Sequence, residues 1–563
     1  MSIRCLAALL TCAVSASTGA EFHVAPSGAP TNAGTVSQPW TLAHALAHPP
    51  AVAPGDTIWL HGGTYTGRFV SRLNGTAAAP IVVRQAAGER ATIDGGSAGE
   101  GSTILAIQGT WTWFWGFEIT SSDPKRVTAI AGSWPDDIRR GGGVDTGNTV
   151  GAGVGVKLIN LVVHDTAQGL SLWRFAEGLE AYGNLIYHNG WQGPDRGHGH
   201  GIYTQNEVGT KRIVDNVIFG GFSYGMQAYG SEAAYVDGYQ VEGNVFLDSG
   251  ALSANGGGNC LVGGGRPSRR IVVRDNVALR SGLDGDGISV GYNWQSGINV
   301  DAQVLGNYIV GGLRVYNYAQ LTVRGNTVAA DETIVRLDST KQAAVPAHDW
   351  DANAYFCPQR AWQPFNLFTQ SGSFGAFLDE WRTRTGFDAT STYATAYPAQ
   401  AKVIVRPNAY EPGRAHVIVV GWPRAAEVAV DVSGVLAVGD AFELRDAQDF
   451  FAAPLFAGSY GGGTIAVPMD GSSAAQPVGD APIAYRSTAP LIGVFVLLRT
   501  AAAPPGGGTG GGTTGPSTGT GVTGGGTGRG GSGGGGSGGG GGCGAGGLSA
   551  ALAVAWALRR LAR

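Results

Sequence analysis

An asparagine followed by apolar residues returns again and again through the middle of the chain: Asn160-Leu-Val-Val, Asn184-Leu-Ile-Tyr, Asn216-Val-Ile-Phe, Asn244-Val-Phe-Leu, Asn276-Val-Ala-Leu, Asn307-Tyr-Ile-Val and Asn326-Thr-Val. A unit this short cannot bury its own apolar face, so successive units must stack on one another. The units are rich in Gly, Asn and Asp, with β-branched and aromatic residues between. That composition predicts short strands broken by turns rather than paired helices. An Asn at one fixed place per coil can leave the strand and bond the backbone of its own and the next coil. Stacked along an axis, such side chains form a ladder. An irregular β-sandwich rich in Asn turns is the competing arrangement, and seven hits in one register favour the solenoid.

With these residues the chain resembles the right-handed parallel β-helix of the pectate-lyase-like group, which carries an internal asparagine ladder. The N-terminal order also resembles the cap of secreted β-helix proteins. It runs Glu21-Phe-His-Val, a short helix over Leu42 to Ala47, a strand at Thr57-Ile-Trp-Leu, and Gly62-Gly-Thr-Tyr-Thr. A helix laid over the end covers an exposed core section and unpaired strand edges. Early coils follow at Ile81, Ala91 and Trp111, and residues 121–155 read as a long loop thrown out of one coil. Asp349-Trp-Asp and a helix near Phe377, ended by Gly386, resemble the last coil and its cap. The β-helix with its caps is thus predicted over residues 21–395. Residues 400–500 change period to separate strands at Val403, His416, Glu427, Ala441, Thr464 and Leu491, which predicts a small antiparallel β-sandwich. The fold class is all-β.

The ends of the 563-residue chain read differently. Residues 1–20 carry Arg4, an apolar run and Thr18-Gly19-Ala20, the pattern of a secretory signal. Residues 501–547 are Gly, Thr and Ser and predict a flexible, disordered linker. The apolar run Leu548 to Leu558 with its basic end resembles a bacterial sorting tail, or else is a weak anchor; it is too short to span a bilayer. Export to the bacterial cell surface is expected, with membrane contact only through this tail. The net charge of −4 excludes a strong electrostatic case for nucleic acid or an anionic membrane. Of five Cys, Cys260 and Cys357 fall in the solenoid, about three coils apart, and are expected to be free and buried. A monomer is expected.

Alignment on the Asn column places His164 over His188 at one turn. It predicts strands with Leu170, Ile202, Met226, Ile288 and Val315 inward. Ser171, Trp173, Tyr203, Gln205, Gln227, Tyr229, Ser289, Tyr316 and Tyr318 then point outward. A wall of aromatics and amides suits the apolar faces and hydroxyls of sugars; a purely structural stacking ladder is the alternative. Beside it, the stretch from His188 to Ile202 holds Trp191, Asp195, Arg196, His198 and His200. Three chemistries compete there. His198, His200 or Tyr203 could act as general base, with Arg196 neutralising a uronate, in β-elimination. Asp195 with Glu232 or Asp165 could form the carboxylate pair of a glycoside hydrolase. The same groups could bind a metal or simply satisfy turns. His188 and Trp191 join Trp173, Gln205, Gln227 and Tyr229 as candidate sugar contacts. No cofactor is indicated beyond possible Ca, for which Asp284 and Asp286 form a weak Asp-x-Asp candidate. The expected function is binding and cleavage of an extended polysaccharide, first as a lyase and then as a hydrolase. A non-catalytic surface adhesin is the rival class.

Overall fold

The computed structural model describes residues 19–502 apart from 98, 100, 231–234, 284, 293 and 360–362. Most of the expected signal segment, the Gly-rich stretch, the apolar tail, Glu232 and Asp284 lie outside the described residues.

Three twelve-stranded sheets make up the first domain. One coil shows the path: Glu180–Tyr182 lies in sheet 1, Leu185–Tyr187 in sheet 2 and Ile202–Thr204 in sheet 3, before Lys211–Val214 returns to sheet 1. Strands pair in parallel with their equivalents in the next coil, as Leu185 with Val217 and Ile202 with Met226, except that Gly372–Ala376 folds back antiparallel on Phe365–Thr369 at the end of sheet 3. The fold is a parallel β-helix. Its interior is one continuous apolar cluster running from Val24 to Phe387. The predicted helix forms at Leu42–Leu46 and buries Leu42, Ala45 and Leu46 over the first coil. The second, Leu378–Thr385, stops at Gly386, whose φ of 75° requires the left-handed region. Its Trp381 is fully buried against Phe365.

The asparagine ladder exists, one coil shorter at its start than the repeat alignment predicts. Side-chain amides pass from Asn184 to Asn216, Asn244, Asn276, Asn307, Asn326 and Asn353, with Nδ2–Oδ1 distances of 2.8 to 3.0 Å. Each also accepts from the backbone of the preceding coil, as in Asn216 N–H to Asn244 Oδ1 at 3.0 Å. The far end is closed by Asp388 and Ser391, which meet Asn353 at 3.1 and 2.8 Å. Asn160 is not a member. It occupies the preceding slot, where φ is positive in every coil (51° at Asn160, 68° at Gly183, 52° at Asp215). Its side chain turns outward to Asn408 and Glu411. Both slots accept Asn, one for its amide and one for its tolerance of left-handed backbone, so residue type alone misplaced the first coil.

That shift moves His164. It lies over Tyr187, not His188, with ring centroids 4.7 Å apart and planes 3° from parallel, and Tyr187 stacks in turn on Phe219. Two further expectations fail. Gly142–Thr146 is a strand of sheet 3 inside the predicted loop, which leaves 121–141 as the insertion. Tyr318 is fully buried and donates to or accepts from Ser268 inside the core, because the turn at Asn317 has already carried the chain to sheet 1.

Residues 402–501 form a five-stranded antiparallel sheet facing a two-stranded one, with a core of Val417, Val419, Val430, Phe442, Val467 and Phe495. The other face of the larger sheet covers the outside of sheet 2. Ile418, Val420, Ile492, Val494 and Val496 pack with Leu185, Val217, Phe219, Val245, Leu247 and Leu279. The middle strands of sheet 2, from Val162–His164 to Tyr308–Val310, are therefore buried on both faces, which is why they read as nearly unbroken apolar runs. A chain ending at residue 399 is expected to expose this face and aggregate, as read by size-exclusion chromatography and dye binding. A soluble monomeric truncation would contradict the packing.

Candidate functional site

Sheet 3 turns polar and aromatic side chains outward. Its inward row is as expected: Leu170, Ile202, Met226 and Ile288 are fully buried. Register then fixes the outward rows. Asp145, Ser171, Tyr203 and Gln227 stand in one row, and Trp173, Gln205 and Tyr229 follow two residues on. Two residues before the inward row stand His200 and Tyr224. The rows are sunk between loops rather than raised. Tyr203, Gln205, Gln227, Tyr229 and His200 are half-buried, while Trp173 is 8% exposed, its indole N–H donating to Asp145 at 2.8 Å. Trp173 meets Tyr203 edge-on at 5.6 Å; His200 stacks on Tyr203 at 5.4 Å and 17°; Tyr229 meets Tyr292 at 5.3 Å. Ser171, Ser289 and Tyr316, expected on the wall, are buried.

Buried Lys211 fixes the exit edge of this trough. Its ammonium donates to the carbonyls of Leu172, Trp173 and Gln205 at 3.1, 2.8 and 2.7 Å, pinning the turn where Trp173 and Gln205 leave the sheet. The entry edge is a lobe made by both insertions. Trp191–Gln192 pairs antiparallel with Gly197–His198. Val127 pairs with Gln192, and Ile138 packs on Trp191. The two loops therefore build one bank together.

The predicted site residues divide accordingly. His200 and Tyr203 share the trough floor with Gln205, Gln227, Tyr229 and Trp173. Arg196 sits on the lobe, one-third exposed, its Nε 3.8 Å from Asp195. His198 does not reach the floor: it is 1% exposed, stacked on Trp191 at 5.1 Å, and its Nε2 lies 3.0 Å from Asp195 Oδ1. Trp191, 4% exposed, holds the lobe and presents no face to a ligand. His188 is fully buried against Tyr187, Phe219 and Tyr485 of the sandwich, away from the trough. Asp286 is held by Arg314 at 2.9 Å, which already supplies a cation. Among the described residues no group of three or more His, Cys, Asp or Glu could hold a metal ion. Cys260 and Cys357 are free and buried.

Burial sets the charge states. It lowers His200 to about 3, helped by Arg196 and His198, so the imidazole is neutral. Burial raises Tyr203 far above its ordinary range, helped by Tyr229, so the phenol stays protonated. His198 is also lowered, by burial first and then Arg196. Burial opposes ionisation of Asp195, but the hydrogen bond from His198 holds it below its ordinary value.

Sequence reasoning missed a buried ionic network behind this edge. His164 bridges Glu118 at 2.8 Å and Asp165 at 2.7 Å. Arg90 binds Glu118 through two nitrogens at 2.8 Å. Arg126, fully buried, pairs with Asp165 and donates to the carbonyls of His188 and Gly190. The sandwich joins in: Val478 N–H donates to Asp165 at 2.9 Å, and Asp480 accepts from Arg126. Asp165 is thus spent on docking and cannot pair with Asp195 over a substrate. Burial opposes ionisation of Glu118 and Asp165, yet His164 with Arg90 and Arg126 holds both at about 2. Burial opposes charge on His164, but Asp165 and Glu118 raise it above 6.5. The carboxylates contribute stability above their ordinary values of 4.5 and 3.8, lost as pH falls through about 2. His164 contributes below 6.5, lost as pH rises through its raised value. The network's own contribution, read as the melting-temperature difference between the protein and His164→Gln, is expected to be largest between about pH 4.5 and about pH 6.5 and to shrink on both sides, while buried neutral imidazoles such as His200 act in both proteins and cancel. A difference that stays flat from acid to mildly alkaline pH would contradict the network.

No protein-family model matches the chain, and no curated protein sequence matches it. Similar solved structures include the pectate lyase Pel9A, with a TM-score of 0.38 at 19% identity over 55% of this chain and 78% of that one. XylC in complex with xylose gives 0.42 at 11% identity over 83% and 99%. A mannuronic acid specific polysaccharide family 6 lyase from human gut microbiota gives 0.34 at 14% identity over 65% and 97%. Likeness at this level decides nothing about activity. The chain is a parallel β-helix on the strength of its own strand pairing.

Proposed function

We propose that the trough on sheet 3 binds an extended polysaccharide and that His200 and Tyr203 cleave an acidic one by β-elimination. The observation that carries this is the His200–Tyr203 stack at 5.4 Å on the trough floor. A neutral imidazole and a protonated phenol lie side by side there, with Arg196 on the bank above. Neutral His200 takes the proton α to a uronate carboxylate, the C4–C5 double bond forms, and the C4–O bond breaks as Tyr203 protonates the leaving oxygen. The bound carboxylate favours imidazolium, so it raises the basicity that burial suppresses in the empty trough. Arg196 steadies the enolate-like charge. Trp173, Gln205, Gln227 and Tyr229 hold the chain across coils about 4.8 Å apart. Hydrolysis is less favoured, because Asp165 is committed to Arg126 and His164. Export by residues 1–20 and retention at the bacterial envelope by the C-terminal tail belong to the same proposal.

The experiment is a panel of acidic and neutral polysaccharides, followed by ultraviolet absorbance and reducing-end release. Absorbing unsaturated uronides are expected. Reducing ends without absorbance would replace elimination by hydrolysis. Binding without either product would leave a surface adhesin.

A further inference from the structure

A second concave site lies away from the trough, where the first coils meet the sandwich. It is a cleft of about 750 Å³, lined by five arginines (84, 90, 414, 445 and 499) and four glutamates (89, 118, 411 and 443). Its walls come from sheets 1 and 2 and from the sandwich, so it does not share the outer face of sheet 3. Most of these charges are spent on one another or on backbone. Arg90 is bonded to Glu118, and Arg445 to Glu443 and the carbonyl of Ala452. Arg84 is different. Its guanidinium is held between the rings of Trp115 and Trp59, 4.1 and 5.1 Å from their centroids. Its Nε is buried without a hydrogen-bond partner among the described residues. Arg414 repeats the pattern: it is 7% exposed, its Nε is buried and unpartnered, and its nearest carboxylate is Glu411 at 3.7 Å. Glu411 Oε2 already accepts from Asn160 at 2.9 Å.

Two rigidly placed guanidiniums with unspent donors thus share one cleft with a single intervening carboxylate. The Nε groups themselves are closed off, so a ligand oxygen would meet the terminal nitrogens of these two cleft-lining side chains. Glu118 is saturated by Arg90, Thr92 and His164; Glu89, Glu411 and Glu443 repel a compact polyanion such as phosphate, yet keep lone pairs that accept from hydroxyls. Aromatic edges at Trp115 and Phe450 offer apolar contact. A group with one carboxylate and several hydroxyls satisfies all three demands, and the volume falls in the range of small-ligand sites. We infer that the cleft between the first coils and the sandwich is a second carbohydrate site, which binds the end of a short uronate oligosaccharide.

The test uses the full chain carrying Tyr203→Ala and Tyr229→Ala, so that trough binding is removed, and titrates trigalacturonate and xylotriose calorimetrically. Trigalacturonate is expected to bind at one site and xylotriose at least tenfold more weakly. Adding Arg84→Gln, or separately Arg414→Gln, is expected to weaken trigalacturonate at least tenfold with the melting temperature retained. No binding in the trough-disabled chain, equal binding of the neutral trimer, or affinity unchanged in both arginine variants would overturn the inference. Failure of the trough proposal shows instead in the catalytic panel, which these variants do not enter.

Discussion

Replacing Asn244 by leucine is expected to cost about 3 kcal/mol or more of stability. Asn244 Oδ1 accepts from the backbone N–H and the side-chain amide of Asn216, at 3.0 and 2.9 Å. Its own amide donates to Ile213 O at 2.7 Å and to Asn276 Oδ1 at 3.0 Å. Leucine nearly matches its volume but leaves the backbone N–H of Asn216 and the carbonyl of Ile213 without their partners in the buried interior, each worth on the order of 1–3 kcal/mol before relaxation; the Asn216 amide keeps Ala181 O, and Asn276 Oδ1 keeps the backbone N–H at 244. Asn160→Gly is the control, since glycine adopts the φ of 51° at this position without strain. Its side chain faces Asn408 and Glu411 outside the ladder, so it removes contacts without orphaning core backbone and should cost less. Denaturant midpoints of the two variants decide the matter. Equal losses would mean that ladder membership confers no special stability.

Removing the acid–base groups of the trough is expected to lower turnover by roughly 10²-fold or more, the usual contribution of a positioned general acid or base. His200→Ala deletes the neutral acceptor; Tyr203→Phe deletes only the hydroxyl and keeps the ring that meets Trp173. Sugar affinity should therefore survive in Tyr203→Phe and fall in Trp173→Ala and Tyr229→Ala. His198→Ala should lower turnover far less, since His198 serves the lobe through Trp191 and Asp195. Normal turnover in both His200→Ala and Tyr203→Phe would remove these residues from the chemistry.

The solenoid was legible because it repeats: one stacking geometry must be satisfied in every coil, and the Asn column records it. What the column did not record was its own neighbour. Gly183-Asn184, Asp215-Asn216 and Gly243-Asn244 show a turn residue before each ladder Asn, and this pair aligns Asn160 with Gly183. A Cβ on Gly183 would stand 2.3 Å from Asn160 Oδ1, so the slot is sterically distinct. The unbroken apolar triplets of sheet 2 carried another signal, since strands with one wet face alternate; they announce the docked sandwich. The trough residues were found by period-two alternation, which is local. The fates of His188 and Asp165 were not legible, because each is decided by packing against a distant segment, at Tyr485 and Val478; His198 is turned aside by the local hairpin that pairs it with Trp191, which a stretch this rich in Gly did not announce. Asp145 lay in reach of the same alternation, but Gly142-Gly143 hid its strand; His200 and Tyr224 stand before their strands begin, where alternation does not apply.

The most direct measurement is a crystal structure of the Tyr203→Phe protein soaked with a uronate oligosaccharide from the polysaccharide it depolymerises. The predicted result is a chain lying along sheet 3, across Trp173, Gln205 and Tyr229, with a uronate carboxylate facing Arg196 and its α-proton facing His200. A chain bound elsewhere, with the trough empty at saturating oligosaccharide, would contradict the assignment of this face.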